Sequence, residues 1–246
     1  MKNIKTPLDS WLKELESIKQ ELEPLPEGYL VKKKSSVYYH VFKNQQTGIT
    51  KNVTLIQQLC RKRYLLVRKG QLETNINATS PAGLDNRTPM QLIASLPKAY
   101  QTVPVHYFYH PQVDKWQGRL QTTDLYPETA VYTHNGIHFR SMSERTIAEQ
   151  LDKYGLLYRY EPIFGLMEMD VSPDFLVKNP FTNKVVIWEH FGAFNQSKYA
   201  DHMNDKMDAY LSQGFQIGFD LITTFQYHIR KPERIQELIE DIILHF

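Results

Sequence analysis

Asp174 and Glu189 stand at equal distance along the chain from a turn centred between Phe181 and Thr182. Two apolar stretches, Val171–Val177 and Lys184–Phe191, flank that turn. The breaker pair Asn179-Pro180 sits inside its Lys178–Asn183 segment. An antiparallel hairpin of this symmetry sets the two carboxylates opposite each other on one face. Their neighbours Phe175, Val186, Ile187 and Trp188 are apolar. In such surroundings a shared proton or a divalent cation relieves the repulsion. Mg2+ is suited to the task, because it takes one or two carboxylates together with substrate phosphates. The plainer alternative is an edge hairpin with solvated acids.

Two residues on predicted helices favour the metal. Glu144 lies one turn before the inward stripe Ile147, Ala148 and Leu151, so it can project toward the sheet as a third carboxylate. Lys206 falls between Met203 and Met207 and four residues before Tyr210, positions that share a helix face. A lysine on an apolar, sheet-facing stripe needs an anionic partner, unless it snorkels to the helix edge. Metal-holding acids beside a lysine that orients water or stabilises charge on phosphorus fit phosphodiester hydrolysis.

The elements that must position these groups follow from periodicity. Ser141 or Ser143 caps a helix to about Tyr154, and Gly155 follows as its left-handed stop. Leu156–Phe164 reads as a strand, then come the two hairpin strands. Lys198–Gln213 is helical with the stripe Tyr199, Met203, Met207 and Tyr210, Phe219–Phe225 is a strand, and Pro232–Leu244 is a last helix. The order helix, three strands, helix, strand, helix defines an α/β domain with a mixed sheet over residues 140–246. Upstream, Asp9 or Ser10 caps a helix to about Leu22 with Trp11, Leu12, Leu15, Ile18 and Leu22 on one stripe. Tyr29–Val41 and Ile49–Val53 form a hairpin around Lys43–Gly48, and Val53–Lys69 is helical. This gives a basic N-terminal α/β region over residues 1–75. Residues 76–139, with Pro81, Pro89, Pro97, Pro104, Pro111 and Pro127, form a connecting segment of short helices and loops.

The chain has 246 residues and a formal net charge of +2, which looks unpromising for a polyanionic partner. Its distribution says otherwise. Residues 1–140 hold 19 basic against 11 acidic residues, and residues 141–246 hold 10 against 16. Between Val31 and Gly70 there are ten basic residues and no acidic one: Lys32, Lys33, Lys34, Lys43, Lys51, Arg61, Lys62, Arg63, Arg68 and Lys69. Tyr38, Tyr39, Phe42 and Tyr64 are interleaved with them. Such a mixture suits a phosphate backbone, although a solvated basic surface has the same composition.

Other chemistries find little support. Cys60 is the single cysteine, which excludes an intramolecular disulfide and a cysteine-based zinc cluster. His134 and His138 have metal-like spacing, but Asn135-Gly136 between them marks a turn. The run His106, Tyr107, Phe108, Tyr109 and His110 could stack on bases, yet a packed strand explains it more simply. No P-loop, GxGxxG or GxSxG is present. Without an apolar run of about 20 residues or a secretory leader, a soluble cytoplasmic protein is expected.

Pro173-Asp174-Phe175, the Glu189-His190 pair fourteen intervening residues later, and the element order resemble the PD-(D/E)XK nuclease superfamily. Arg140–Glu144 (RSMSE), Tyr158–Glu161 (YRYE), Trp188–Gly192 (WEHFG), Lys206 and Tyr210 look like a bacterial and phage subgroup of it. So do Leu25–Leu30, the Tyr38-Tyr39 pair and the Arg61–Tyr64 run. The resemblance implies a restriction-endonuclease-like αβββαβ core that cuts DNA, or RNA, with Mg2+ or Mn2+ as substitute. It implies Asp174, Glu189 and the His190 backbone carbonyl as metal ligands and Glu144 as a ligand through water. Lys206 and Tyr210 would complete the catalytic set. Lys32, Lys33, Lys34, Tyr38, Tyr39, Arg61, Lys62, Arg63, Arg68, Lys69 and Arg140 are the expected nucleic-acid contacts, and a homodimer is one possible assembly. The sequence departs from the pattern at Phe191, where the motif has lysine. Lys206 on the following helix is the expected replacement; His190 is a weaker one, since it alternates to the other strand face. That departure also leaves open a nucleic-acid binder with an inert core. A defence or recombination component active only with a partner is a further alternative.

Overall fold

The computed structural model describes residues 6–33, 37–117, 129–166, 169–192 and 197–244. The chain divides into two compact units, residues 6–111 and residues 112–244. The boundary therefore falls inside the expected connecting segment, whose first half belongs to the N-terminal unit and whose second half to the C-terminal one.

The N-terminal unit is built on two helices. Helix α1, Pro7–Leu22, starts one turn earlier than expected, because Thr6 caps it and Asp9 closes the capping box. A three-stranded antiparallel sheet follows, with strands β1 (Tyr29–Lys32), β2 (Tyr38–Phe42) and β3 (Gln45–Gly48) in that order. The expected two-stranded hairpin becomes three strands because Lys43 and Asn44 both take positive φ, +47° and +61°. That is the backbone a two-residue hairpin turn needs. Asn52 caps helix α2, Val53–Asn77. It runs past Gly70, whose missing side chain faces open space, because Gln71, Leu72 and Asn75 continue the buried stripe. Helix α3, Pro89–Ala94, and two 3-10 turns, Tyr100–Thr102 and Val105–Phe108, pack nearby. The first three residues of the aromatic run, 106–108, thus lie in a helical turn on α2 rather than in a strand.

Arg61 and Arg68 tie α1 to α2. Arg61 donates to both carboxylate oxygens of Glu21 at 2.7 and 2.8 Å, and Arg68 does the same to Glu14. Arg61 also donates to the Phe108 carbonyl oxygen and Arg68 to Gln71. Both arginines are buried. The seven-residue spacing of Glu14 and Glu21 matches that of Arg61 and Arg68, in the opposite chain direction, so the helices pack antiparallel.

The C-terminal unit opens with helix α4 (Val113–Gln117) and the hairpin β4 (Tyr132–His134) and β5 (Ile137–Phe139), turning at Asn135-Gly136. Helix α5, Met142–Lys153, begins at Ser141, whose hydroxyl accepts from the Glu144 amide. Gly155 takes φ +65° just past its end. Strand β6 is Leu157–Tyr160. The strand expected to reach Phe164 stops there because Glu161 takes φ +43°, a left-handed conformation no strand accommodates. A separate hairpin, β7 (Phe164–Leu166) with β8 (Met169–Val171), intervenes. Strands β9 (Phe175–Lys178) and β10 (Val185–Phe191) follow, then helix α6 (Ser197–Ser212), strand β11 (Leu221–Phe225) and helices α7 (Gln226–Ile229) and α8 (Pro232–Leu238). A π-helical turn, Ile239–Leu244, extends α8.

The main sheet has the order β11-β10-β9-β6, with β10 parallel to β11 and the other neighbours antiparallel. One face carries Phe175, Val177, Val186, Trp188 and Ile222 against Ile147 and Leu151 of α5 and Ile235 of α8. The other carries Leu176, Ile187 and Leu221 against Tyr210 and Met207 of α6. Asn179 sets the hairpin register. Its Oδ1 accepts from the amides of Phe181 and Thr182, and its Nδ2 donates to the Ile243 carbonyl oxygen at 2.7 Å. No helix among the described residues is long and apolar enough to cross a membrane.

Replacing Glu14 by Ala should destabilise the protein by about 3–5 kcal/mol in chemical denaturation, because it leaves the buried Arg68 guanidinium without its anion. Burial pushes the Cys60 thiol up to about 12. Iodoacetamide at pH 8 should therefore leave native protein unlabelled and modify it only after unfolding.

Candidate functional site

The register of β9 and β10 pairs Trp188 with Phe175 and Ile187 with Leu176. One step further it sets Glu189 across from Asp174, on the α6 face, as the turn symmetry predicts. Asp174 and Glu189 line a cavity of about 330 Å3 together with Arg140, Glu144, Met203 and Lys206. Asp174 sits just ahead of β9, and its Oδ2 accepts from the His190 amide at 2.6 Å. Glu189 is almost wholly buried and receives three donated contacts. Lys206 Nζ lies 2.7 Å from Oε1 and 2.8 Å from Oε2, and the Tyr210 hydroxyl donates to Oε1 at 2.6 Å. Lys206 also donates to the Ser172 carbonyl oxygen at 2.8 Å. The lysine therefore points inward, and Phe191 at the motif position packs its ring on Phe225.

Two acids with one ammonium leave a charge deficit. Burial and the nearby Asp174 carboxylate raise the pKa of Glu189, against the pull of Lys206 and Tyr210. Burial likewise raises Asp174, with Lys206 acting in the opposite direction. Glu144 is buried on α5, where its Oε2 accepts from the Ser141 amide and the Tyr160 hydroxyl. Burial and Asp174 raise it too.

A fourth carboxylate escaped the sequence reading. Glu161 is buried beyond the end of β6, its amide donates to the Asp174 carbonyl oxygen, and its carboxylate pairs with Arg140. Burial lifts it to about 7, with Arg140 opposing. The charged residue ending the Tyr158–Glu161 run was its only trace in the sequence.

His190 turns to the opposite face from Glu189, as alternation requires. Thr224 Oγ1 accepts from Trp188 Nε1 and donates to the Glu189 main-chain oxygen. The same hydroxyl lies 3.1 Å from His190 Nδ1. His190 Nε2 is buried with no hydrogen-bond partner among the described residues. Burial lowers this imidazole to about 4, so it stays neutral. Its main chain meets Asp174 through the amide. His134 pairs with Asp152 instead of joining His138.

The expected nucleic-acid contacts separate into groups. Arg61 and Arg68 must be withdrawn from a backbone-gripping role, because both guanidinia are buried against Glu21 and Glu14. Lys33 lies 4.7 Å from the Tyr39 ring and donates to Gln46. Lys62 donates to the Pro26 carbonyl oxygen, and Lys69 pairs with Glu73. Lys32 lies over the Tyr38 ring, and Arg63 lines a groove beside it. Lys34 lies outside the described residues. Arg140 borders the acidic cavity.

No protein-family model and no solved structure matches the chain. An uncharacterised protein of Methanocaldococcus jannaschii is 31% identical over 88 residues, which cover 35% of this chain and 7% of that protein. The chain thus spans a small fraction of that relative's length. Fold and site together define a mixed α/β protein with a buried acidic cleft that holds one inward lysine. Among the described residues, no three His, Cys, Asp or Glu side chains converge closely enough to cage a metal.

The raised carboxyls give a pH dependence of known sign. A carboxyl whose folded pKa exceeds its unfolded value contributes stability below the unfolded pKa and loses it as pH rises through the folded one. Metal-free protein should therefore melt at a lower temperature at pH 9 than at pH 6. Asp174→Asn, which removes the repulsion and keeps the acceptor for the His190 amide, should flatten that decline.

Proposed function

We propose that the chain is a metal-dependent nuclease of the PD-(D/E)XK type, acting on DNA with Mg2+ or Mn2+, and on RNA as the alternative polymer. The observation that carries this reading is the apposition of Asp174 and Glu189 with Lys206 brought to Glu189 from the next helix. The element order α5, β6, β9, β10, α6, β11 and the sheet order β11-β10-β9-β6 support a restriction-endonuclease-like core. The carboxylate pair fits a divalent cation. Two buried acids with raised pKa values lack one positive charge, and Mg2+ needs no more than two protein carboxylates. Asp174 and Glu189 would hold it, with Glu144 on a bound water. The cation would supply Lewis-acid charge at the scissile phosphate.

The protein's own groups divide the remaining work. The His190 amide and Tyr210 hydroxyl fix the two carboxylates in place. Lys206, anchored by Ser172 and Glu189, holds an ammonium at the cleft, where it orients the attacking water and offsets charge on phosphorus. Arg140, braced by Glu161, presents a guanidinium suited to a phosphate oxygen. Water adds to phosphorus as one P–O ester bond breaks, leaving a phosphomonoester and an alcohol. A nucleic-acid binder with an inert core is the second reading. It is favoured by the contacts that Lys206 and Tyr210 already make to both carboxylate oxygens of Glu189.

Incubation of plasmid, branched and single-stranded DNA with the purified chain and Mg2+ or Mn2+ separates the two. Cleavage should appear with metal, disappear with EDTA, and fall at least about 100-fold in Asp174→Ala, Glu189→Ala and Lys206→Met. Cleavage that survives Asp174→Ala and Glu189→Ala would sink the assignment, and tight salt-sensitive binding without any cleavage would establish the inert-core reading.

A further inference from the structure

With Arg61 and Arg68 committed to the helix pair, Lys32 and Arg63 are the cations that share a groove in the N-terminal unit. The groove, of about 580 Å3, runs along β1 and is lined also by Tyr29, Pro97 and Tyr100. No acidic residue is among the described residues that line it. Tyr29 is 54% exposed there. A large ring left open beside two cations on a partly apolar wall is a stacking surface of the kind that single-stranded nucleic acid uses.

Two further observations narrow the occupant. Arg63 Nε is buried and makes no hydrogen bond among the described residues. An anionic oxygen entering the groove would satisfy that desolvated donor. Strand β1 lies at the edge of its sheet, which would ordinarily invite a partner strand. Here the Leu30 amide already donates to the Tyr100 hydroxyl at 2.9 Å, so the ladder that an added strand would need is interrupted.

We propose that this groove is a subsite for an unpaired nucleotide: Tyr29 stacks on the base, while Arg63 and Lys32 take the adjoining phosphates. The proposal rests on the nucleic-acid reading above and adds that the strand is unpaired where the N-terminal unit holds it. Stacking is tolerant of base identity, so the subsite selects for strandedness rather than sequence.

Fluorescence anisotropy of the full chain in EDTA, with labelled single-stranded DNA or RNA and a blunt DNA duplex of equal length, tests this. Single strands of at least one polymer should bind more tightly than the duplex. Tyr29→Ala should weaken single-strand binding about tenfold, and Tyr29→Phe, which keeps the ring, should not. Arg63→Gln should weaken it as well and lower the slope of log affinity against log salt by about one. Thermal unfolding of each variant confirms that it is folded. Unchanged single-strand binding in Tyr29→Ala and Arg63→Gln overturns the proposal, as does an equal loss for the blunt duplex. Metal-dependent cleavage alongside unchanged Tyr29→Ala binding removes the subsite alone. Tyr29-dependent single-strand binding without cleavage keeps the subsite and removes the nuclease assignment.

Discussion

Asp174 and Glu189 repel each other on the α6 face of the sheet, beside Leu176, Ile187 and Leu221, and much of the C-terminal unit is arranged around that repulsion. Each carboxylate is held from a different direction: Asp174 by the amide of a neighbouring strand, Glu189 by two side chains of α6. The ammonium that compensates them arrives from a helix instead of from the strand itself. This leaves Phe191 free to pack on Phe225 and close the end of the sheet with an aromatic contact. A lysine at 191 would have forfeited that contact. The same face thus gains a better-sealed edge and keeps its cation, at the cost of depending on how α6 is docked.

How far the sequence disclosed this depends on whether each relationship is periodic. The pairing of Asp174 with Glu189 is a matter of counting outward from a turn, and the inward aim of Lys206 follows from helical spacing. Both were legible. Glu161 was not, because its pairing with Arg140 at the cleft follows from one left-handed residue, and a non-glycine with positive φ has no reliable signature. That same residue ends β6 early and breaks the strand that alternation would extend to Phe164.

The basic window between Val31 and Gly70 was misread in part for a different reason. Counting charges along a segment assumes that their partners are local. Arg61 and Arg68 meet acids some forty and more positions away, on α1, and the expected apolar stripe of α1 was read without them. Leu12, placed on that stripe, is exposed. The legible clue was the matched seven-residue spacing of two acids and two arginines, which in two helices joined by a short sheet amounts to a register. Charge composition therefore overstated the gripping surface, and of the cations that remain, Lys32 and Arg63 are the ones the fold places at a common groove.

Asn179 gives the C-terminal unit an unexpected mechanical connection. Its side chain shapes the turn that sets the β9–β10 register and at the same time holds the Ile243 carbonyl at the end of the last helical segment. A one-residue slip of that hairpin would turn Glu189 to the wrong face of the sheet. The closing helical turn is thus a clamp on strand alignment, and a fusion or tag that unwinds it would act on the carboxylates from the far end of their hairpin without touching either of them.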